Sequence, residues 1–377
     1  MTRLVVVADD LTGAADTAAP LTRLGRTSVL LDAESEWPDD DVLAVDTDSR
    51  HRDPGLAAAR AAEATRRARL LGAQVVKKVD STLRGHVATE LRAMTDVYDE
   101  RVLLVVAPAF PATSRTTRDG VVHVDGERLA AHGSDGDLVA LLGRGGLRTA
   151  RVTQGDRLAA RLDRAHADGF AAVVVDAETV DDLAAVVEAV REVTAPVLLV
   201  GSGGLTRPMA GATEPPASRS SPAGPTLVVV GSYSAASRTQ RGRLVEAGVT
   251  PVLPGDPHQL RAALRAGPVV LAPDPQAPVV RSDAERVARS MAGSVADVLD
   301  EVGTLVATGG ETARAVLTEA GVTRLVVTGE LEPGVVRSHV PGLDLDVVTK
   351  AGGFGDPDTL LRCLPPYPAP VRQGGTP

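Results

Sequence analysis

Short runs of Val and Leu alternate along this chain with Ala-, Arg- and Leu-rich stretches of helical period, and that alternation leaves few folds open. LVVVA (4–8), SVLL (28–31), VLAVD (42–46), QVVKKV (74–79), VLLVVA (102–107), AVVVD (172–176) and PVLLVG (196–201) have the length and composition of strands buried on both faces. AADTAAPLTRLG, PGLAAARAAEATRRARLLG and DDLAAVVEAVREV, which lie between them, have the apolar spacing of amphipathic helices. A repeated βαβ rhythm predicts an α/β fold with a mainly parallel, doubly wound sheet. Aromatic residues are only 2% of the chain, so its core must be built from Val, Leu and Ala, which suits such a sheet.

The rhythm breaks at residues 211–225 (GATEPPASRSSPAGP), where Pro, Ser and Gly crowd together without periodicity. It resumes with TLVVVGS (226–232), PVVLAP (268–273), TLVATGG (304–310), RLVVTGE (324–330) and LDVVTKAGG (345–353). Two α/β domains are therefore expected, 1–212 and 226–365, each a mainly parallel sheet flanked by helices, with a linker at 213–225. The end, 366–377, has the composition of a disordered tail.

A net charge of −9 argues against a general nucleic-acid binder, which needs a basic face. A few local donors can still hold an anionic ligand. The single Cys363 rules out an intramolecular disulfide and fits a reducing compartment. The start, MTRLVVVADD, turns acidic too soon for a signal peptide, and no apolar run is long enough to span a bilayer. The expectation is a cytoplasmic protein with neither nucleic acid nor membrane as partner. No resident metal site is expected, because His51, His86, His123, His132, His166, His258 and His339 are scattered without ligand spacing. No GxSxG elbow or Walker A pattern occurs, and GSGGLT (201–206) is an incomplete dinucleotide fingerprint, which disfavours a Rossmann oxidoreductase.

In the first half, ADDLTGAAD (8–16) puts Asp9 and Asp10 at the C-terminal end of a strand, where open α/β sheets bind ligands. Asp10 could equally cap the following helix. TDSR (47–50) offers Arg50, which could clamp a carboxylate through two parallel hydrogen bonds. KKVDSTLRG (77–85) is the densest polar cluster. Ser81, Thr82 and the amides of the following helix can hold an anion, and Lys78, Asp80 and Arg84 add charge of both signs, as a polyhydroxy acid would require. APAFPATSR (107–115) either forms a pocket wall or ends a strand.

In the second half, GSYSAASRTQ (231–240), TGGET (308–312) and KAGGFGD (350–356) are three Gly- or Ser-rich turns after strands. Together at one sheet edge they suit a nucleotide's phosphate chain. Lysine usage points to the same places. The chain has three lysines against 37 arginines, and all three, Lys77, Lys78 and Lys350, lie in these motifs. Metal and nucleophile templates having failed, phosphoryl transfer remains, a reaction catalysed mostly by positioning and electrostatics.

The ordered set ADDLTGAAD, DTDSR, KKVDSTLRG, PAFP, GSYSAASRTQ, ATGGET, EPGV and KAGGFG spans residues 8–355 and resembles the four-carbon acid sugar kinases, once catalogued only as a domain of unknown function. Those enzymes phosphorylate threonate, erythronate or 3-oxo-tetronate with ATP. The resemblance implies an N-terminal sugar-acid domain, a C-terminal ATP domain and an active site in the cleft between them. Carried over by position, Asp9, Asp10, Arg50, Lys78, Asp80, Ser81, Thr82, Leu83 and Arg84 would bind the acid. Lys78, with Asp10 or Asp80 as base, would be catalytic. Ser232, Ser234, Gly309, Gly310, Glu311, Thr312, Gly352 and Gly353 would bind ATP, with Glu311 acting through Mg²⁺, and Lys350 is placed to reach the nucleotide. The resemblance leans towards a homodimer, although the sequence carries no interface signal of its own.

The chain departs from the family pattern in four places. Thr113-Ser114-Arg115 follows PAFP, residues 120–146 are short and Gly-rich, VRSHVPGLDL follows EPGV, and Ala351 stands where Ser is usual. These changes motivate an alternative, a catalytically impaired relative that binds or senses a sugar acid.

Overall fold

A computed structural model describes residues 2–131, 133–211, 222, 224–274 and 284–366. It divides into two compact units, Met1–Glu214 and Pro215–Pro377. The predicted linker falls, apart from 222, 224 and 225, outside the described residues, as does the predicted tail beyond 366.

The first unit is built on eight parallel strands. In chain order these are β1 (Leu4–Ala8), β2 (Thr27–Leu30), β3 (Val42–Asp46), β4 (Gln74–Lys78), β5 (Leu103–Ala107), β9 (Thr149–Val152), β10 (Ala172–Val175) and β11 (Val197–Gly201). Their spatial order is β2-β3-β1-β4-β11-β5-β10-β9. Every pairing is parallel. Helices α1 (Leu11–Leu21), α2 (Pro54–Leu70) and α3 (Val87–Thr95) follow β1, β3 and β4. The chain steps from β1 to one side through β2 and β3, then returns to place β4 on the other side. The strand order thus reverses at β1/β4, and the loops beyond that switch point are where a doubly wound sheet offers a crevice. Val5, Val6 and Val7 are fully buried, as expected of a strand covered on both faces.

The Gly-rich stretch after β5 forms a separate antiparallel sheet, β6 (Arg115–Arg118), β7 (Val121–Val124) and β8 (Glu127–Arg128). Tight turns at Asp119-Gly120 and Asp125-Gly126, all with positive φ, link its strands. Runs this short lack the apolar length that marks a core strand, so the sequence pattern did not show them.

In the second unit the order is β13 (Thr250–Val252), β14 (Val269–Leu271), β12 (Thr226–Val230), β15 (Thr304–Thr308), β18 (Asp346–Lys350), β17 (Val335–His339) and β16 (Arg324–Glu332). The first five are parallel. Strand β17 runs antiparallel to both β16 and β18, so VVRSH after EPGV is a strand and not a loop. Helices α8 (Ala235–Glu246) and α11 (Gly310–Glu319) follow β12 and β15. No helix among the described residues is long and apolar enough to cross a membrane.

Candidate active site

The loops after the adjacent strands β3, β1 and β4 bring together the polar residues of the first unit. Asp10 both caps α1 and joins the cluster. Its Oδ1 accepts from Gly13 N at 2.9 Å and its Oδ2 accepts from Thr12 Oγ1 at 2.7 Å. Arg50 lies between the acids. Its Nε and Nη2 donate to the two oxygens of Asp9 at 2.8 and 2.7 Å, Nη2 also donates to Asp10 Oδ1 at 2.7 Å, and Asp80 Oδ1 is 3.6 Å away. The parallel fork predicted for a substrate carboxylate is therefore engaged by Asp9, and Arg50 acts first as the cross-brace of three carboxylates. Burial by itself would raise the Asp9 carboxyl. The Arg50 guanidinium, helped by Lys77 and Lys78, outweighs burial and holds it below the usual value.

Asp80 organises the turn between β4 and α3. It accepts from Thr82 N at 3.1 Å and from Arg84 Nε and Nη2 at 2.9 and 2.7 Å. Burial works against its charge, but Arg50, Arg84 and Lys78 hold its carboxyl well below the ordinary range. A carboxylate so stabilised is a weak proton acceptor near neutral pH. Leu83 departs from expectation. Its backbone is left-handed (φ 60°) and its side chain packs in the hydrophobic core, so only its main chain is free to face a ligand. Gly85 (φ 86°) is required where it stands, because a Cβ there would lie 3.0 Å from Asp9 Oδ2. Ser81 is buried beside Asp80 at the same turn.

The adjacent lysines diverge, as strand alternation demands. Lys77 is fully buried and lies 2.6 Å from Glu90 Oε2. Lys78 is 95% buried, given its 5% exposure, and lies close enough to Asp9 and Asp80 to lower both carboxyls. Its ammonium makes no hydrogen bond or ion pair with any described residue. Arg115, noted in the sequence only as part of the Thr113-Ser114-Arg115 departure from the family pattern, is near enough to Asp80 and Arg84 to feel both charges.

In the second unit the three predicted turns do share one edge, after the neighbouring strands β12, β15 and β18. Ser234 caps α8 by accepting from Ser237 N at 3.1 Å, and its hydroxyl donates to Gly352 O at 2.6 Å. Its proton is therefore committed to the loop, whereas Ser232 Oγ serves as acceptor for Ser234 N at 3.3 Å and donates to no described residue. Gly309 (φ 97°) starts α11, placing the amides of Gly310, Glu311 and Thr312 in its first turn. A Cβ on Gly352 would lie 2.2 Å from Ser232 Oγ, so the two turns can approach only with glycine there. Gly353 has open space where its side chain would be. Ser237 and Gln240, not singled out from sequence, clamp the last turn. Ser237 Oγ donates to Gly352 O at 2.8 Å, and Gln240 Nε2 donates to Phe354 O at 3.0 Å and Asp356 O at 2.8 Å. Their i, i+3 spacing with Ser234 was the available signal.

Lys350 does not reach outward as predicted. It is fully buried, and its Nζ donates to the carbonyls of Ala351 (2.8 Å), Gly352 (3.3 Å) and Phe354 (2.9 Å), so it folds the glycine turn around itself. Burial pushes its ammonium down to about 8. Because the folded value lies below that of free lysine, ~10.4, the folded protein releases this proton before the unfolded chain does. Lys350 therefore makes unfolding free energy rise with pH from about 8 towards ~10.4, by up to ~1.4 kcal/mol per pH unit. Urea unfolding across that range should show Lys350→Met losing this increment of slope. An unchanged slope would mean that Lys350 is not buried as a titrating ammonium.

Comparisons with known proteins agree with both halves of this architecture. Residues 4–209 match a sugar-binding N-terminal domain and residues 261–360 a nucleotide-binding C-terminal domain. A D-threonate kinase of Cupriavidus necator is 38% identical over 94% of this chain and 96% of its own. A D-threonate kinase of Bordetella bronchiseptica is 35% identical over 95% of each. A solved structure from Salmonella typhimurium LT2 shares the fold, with a TM-score of 0.81 at 21% identity over 98% of this chain and 100% of that one. With the paired sugar-binding and nucleotide-binding domains and full-length similarity to named kinases, the chain belongs to the four-carbon acid sugar kinase family.

Proposed function

We propose that this protein transfers the γ-phosphoryl group of ATP to a hydroxyl of a four-carbon sugar acid of the threonate, erythronate or 3-oxo-tetronate class. The observation that carries the proposal is Lys78, a buried lysine at the switch point of the sugar-binding sheet whose ammonium makes no hydrogen bond or ion pair among the described residues. Asp9 and Asp80 balance its charge without accepting its hydrogen bonds, which leaves its N–H donors open to an anionic ligand. Its three donors suit a carboxylate or the phosphoryl group in transit.

Asp10 is the better base, since the Asp80 carboxylate is held well below its ordinary range by its cationic neighbours. Asp10, partly open to solvent, would accept the proton of the attacking hydroxyl, while Arg50 fixes its orientation. Asp80 and Arg84 would then order the turn that carries Ser81 and Thr82. On the nucleotide side, Ser232, the first-turn amides of α11 and the Gly352-Gly353 backbone would cradle the phosphates.

Magnesium would arrive as the counter-ion of ATP. Among the described residues no group of three or more His, Cys, Asp or Glu side chains could hold a metal ion, and Asp9 and Asp10 are braced by Arg50. The ion's ligands would therefore be mainly phosphate oxygens and water, with Glu311 in the first turn of α11 the predicted protein carboxylate.

The test is ADP release against a panel of C4–C6 aldonic and oxo-tetronic acids. Turnover with one C4 acid well above the others is expected. No turnover with any of them would overturn the proposal and favour a binding or sensing role.

A further inference from the structure

Beneath the cluster of Asp9, Asp10 and Arg50 lies a buried polar chain. Lys77 Nζ and Glu90 Oε2 approach to 2.6 Å as an ion pair and not as an aligned hydrogen bond, and both residues are at most 2% exposed. The other Glu90 oxygen, Oε1, accepts from Ser49 Oγ. Thr47 Oγ1 lies 2.9 Å from Ser49 Oγ and 2.8 Å from Ala8 O, so its single proton serves one of the two, and Thr47 N donates to Ala8 O at 2.9 Å in either case.

Three members of this chain precede a site residue directly in sequence: Ala8 before Asp9, Ser49 before Arg50 and Lys77 before Lys78. Of the other two, Thr47 lies between Ala8 and Ser49, and Glu90 is anchored on the inner side of α3, the helix that the Asp80 turn leads into. A buried ion pair is weak ground for stability, because an apolar pair of similar volume often serves as well. A charged pair kept fully buried under four converging elements therefore calls for another explanation, and its hydrogen bonds supply one. They fix where the ends of β1, β3 and β4 stand relative to one another.

We propose that Glu90 is a positioning residue for the acceptor site, acting through Ser49 on the loop that carries Arg50 and through Lys77 on the strand end that carries Lys78. Its kinetic consequences rest on the activity proposed above, while its structural consequence does not.

Two variants separate the roles. Ser49→Ala cuts the hydroxyl link and leaves the ion pair. Lys77→Met/Glu90→Leu replaces the pair with apolar groups of similar size, and Ser49→Ala alone carries the test if that double variant does not fold. Expected are a fall in kcat of about ten-fold for Ser49→Ala and about 100-fold for the double variant, with KM for ATP unchanged, as for a displaced constellation. An independent readout is the Arg50 Nε–H resonance in ¹⁵N NMR, assigned by its loss in Arg50→Lys. It should exchange with water roughly ten-fold faster in both variants, as its bond to Asp9 loosens. Parent-like exchange together with kcat within two-fold of the parent would overturn the positioning role. If the parent itself turns over no acid, the proposed activity fails, and the exchange rates still decide whether the chain positions Arg50.

Discussion

Lys78→Ala is expected to lower kcat with ATP and the preferred acid by roughly 10³-fold, the scale seen when a preorganised donor is removed from a water-poor site. The melting temperature should change little. Lys78 makes no hydrogen bond or ion pair among the described residues, so its removal breaks none. Relief from burying its charge is offset by the loss of its attraction to Asp9 and Asp80. Lys78→Arg should not rescue activity, because a planar fork neither fits the same space nor presents a compact charge. Steady-state kinetics by ADP release, paired with calorimetry, checks this. An alanine variant within ten-fold of the parent would remove Lys78 from the chemistry, and a large loss of melting temperature would show that it props up the fold.

What the sequence made legible follows from how local each signal is. Buried parallel strands announce themselves as Val/Leu runs, so eleven of them, beginning with Leu4–Ala8 and ending with Asp346–Lys350, could be placed without coordinates. Strand Val335–His339 could not, because its buried Arg337 is neutralised by Asp346 on the neighbouring strand, a pairing across sheet neighbours that a linear pattern cannot show. The site residues were legible as types but not as partners. Arg50 and Asp9 are 41 positions apart, and nothing in either motif says that the arginine's fork closes on the aspartate instead of on a substrate. Lys350 misled for the same reason. A lysine before two glycines reads as a phosphate contact, whereas its side chain turns back onto carbonyls one, two and four residues ahead. Glu90 was invisible as a functional residue, since an acidic residue in the first turn of a helix already has an ordinary explanation in the helix dipole.

Gly13→Ala is expected to separate activity from stability. Gly13 lies inside α1, where alanine is favoured over glycine by roughly 0.8–1 kcal/mol. On propensity alone the substitution should stabilise the protein. A Cβ there, however, would stand 2.5 Å from Asp10 Oδ1 and 2.8 Å from Lys78 Nζ, closer than any methyl group can approach. The nearest obstructing atoms are the ends of two side chains and not backbone, so the fold can yield by moving them. Those two ends are the proposed base and the uncommitted cation. Displacing each by about an ångström costs on the order of 10²-fold in kcat. Asp10 Oδ1 also caps α1 and accepts from Arg50, and a lost cap costs about 1 kcal/mol, which offsets the helix gain. The melting temperature of Gly13→Ala should therefore stay near that of the parent while kcat falls about 100-fold. Because part of the methyl group's effect acts through Lys78, that part should not add: Gly13→Ala/Lys78→Ala should be slower than Lys78→Ala by clearly less than about 100-fold, the remainder acting through Asp10. Full additivity in that double variant would mean that Gly13 matters for a reason other than the space it leaves for the lysine. Near-parental activity in the single variant would mean that neither side chain need stand where this structure places it for turnover.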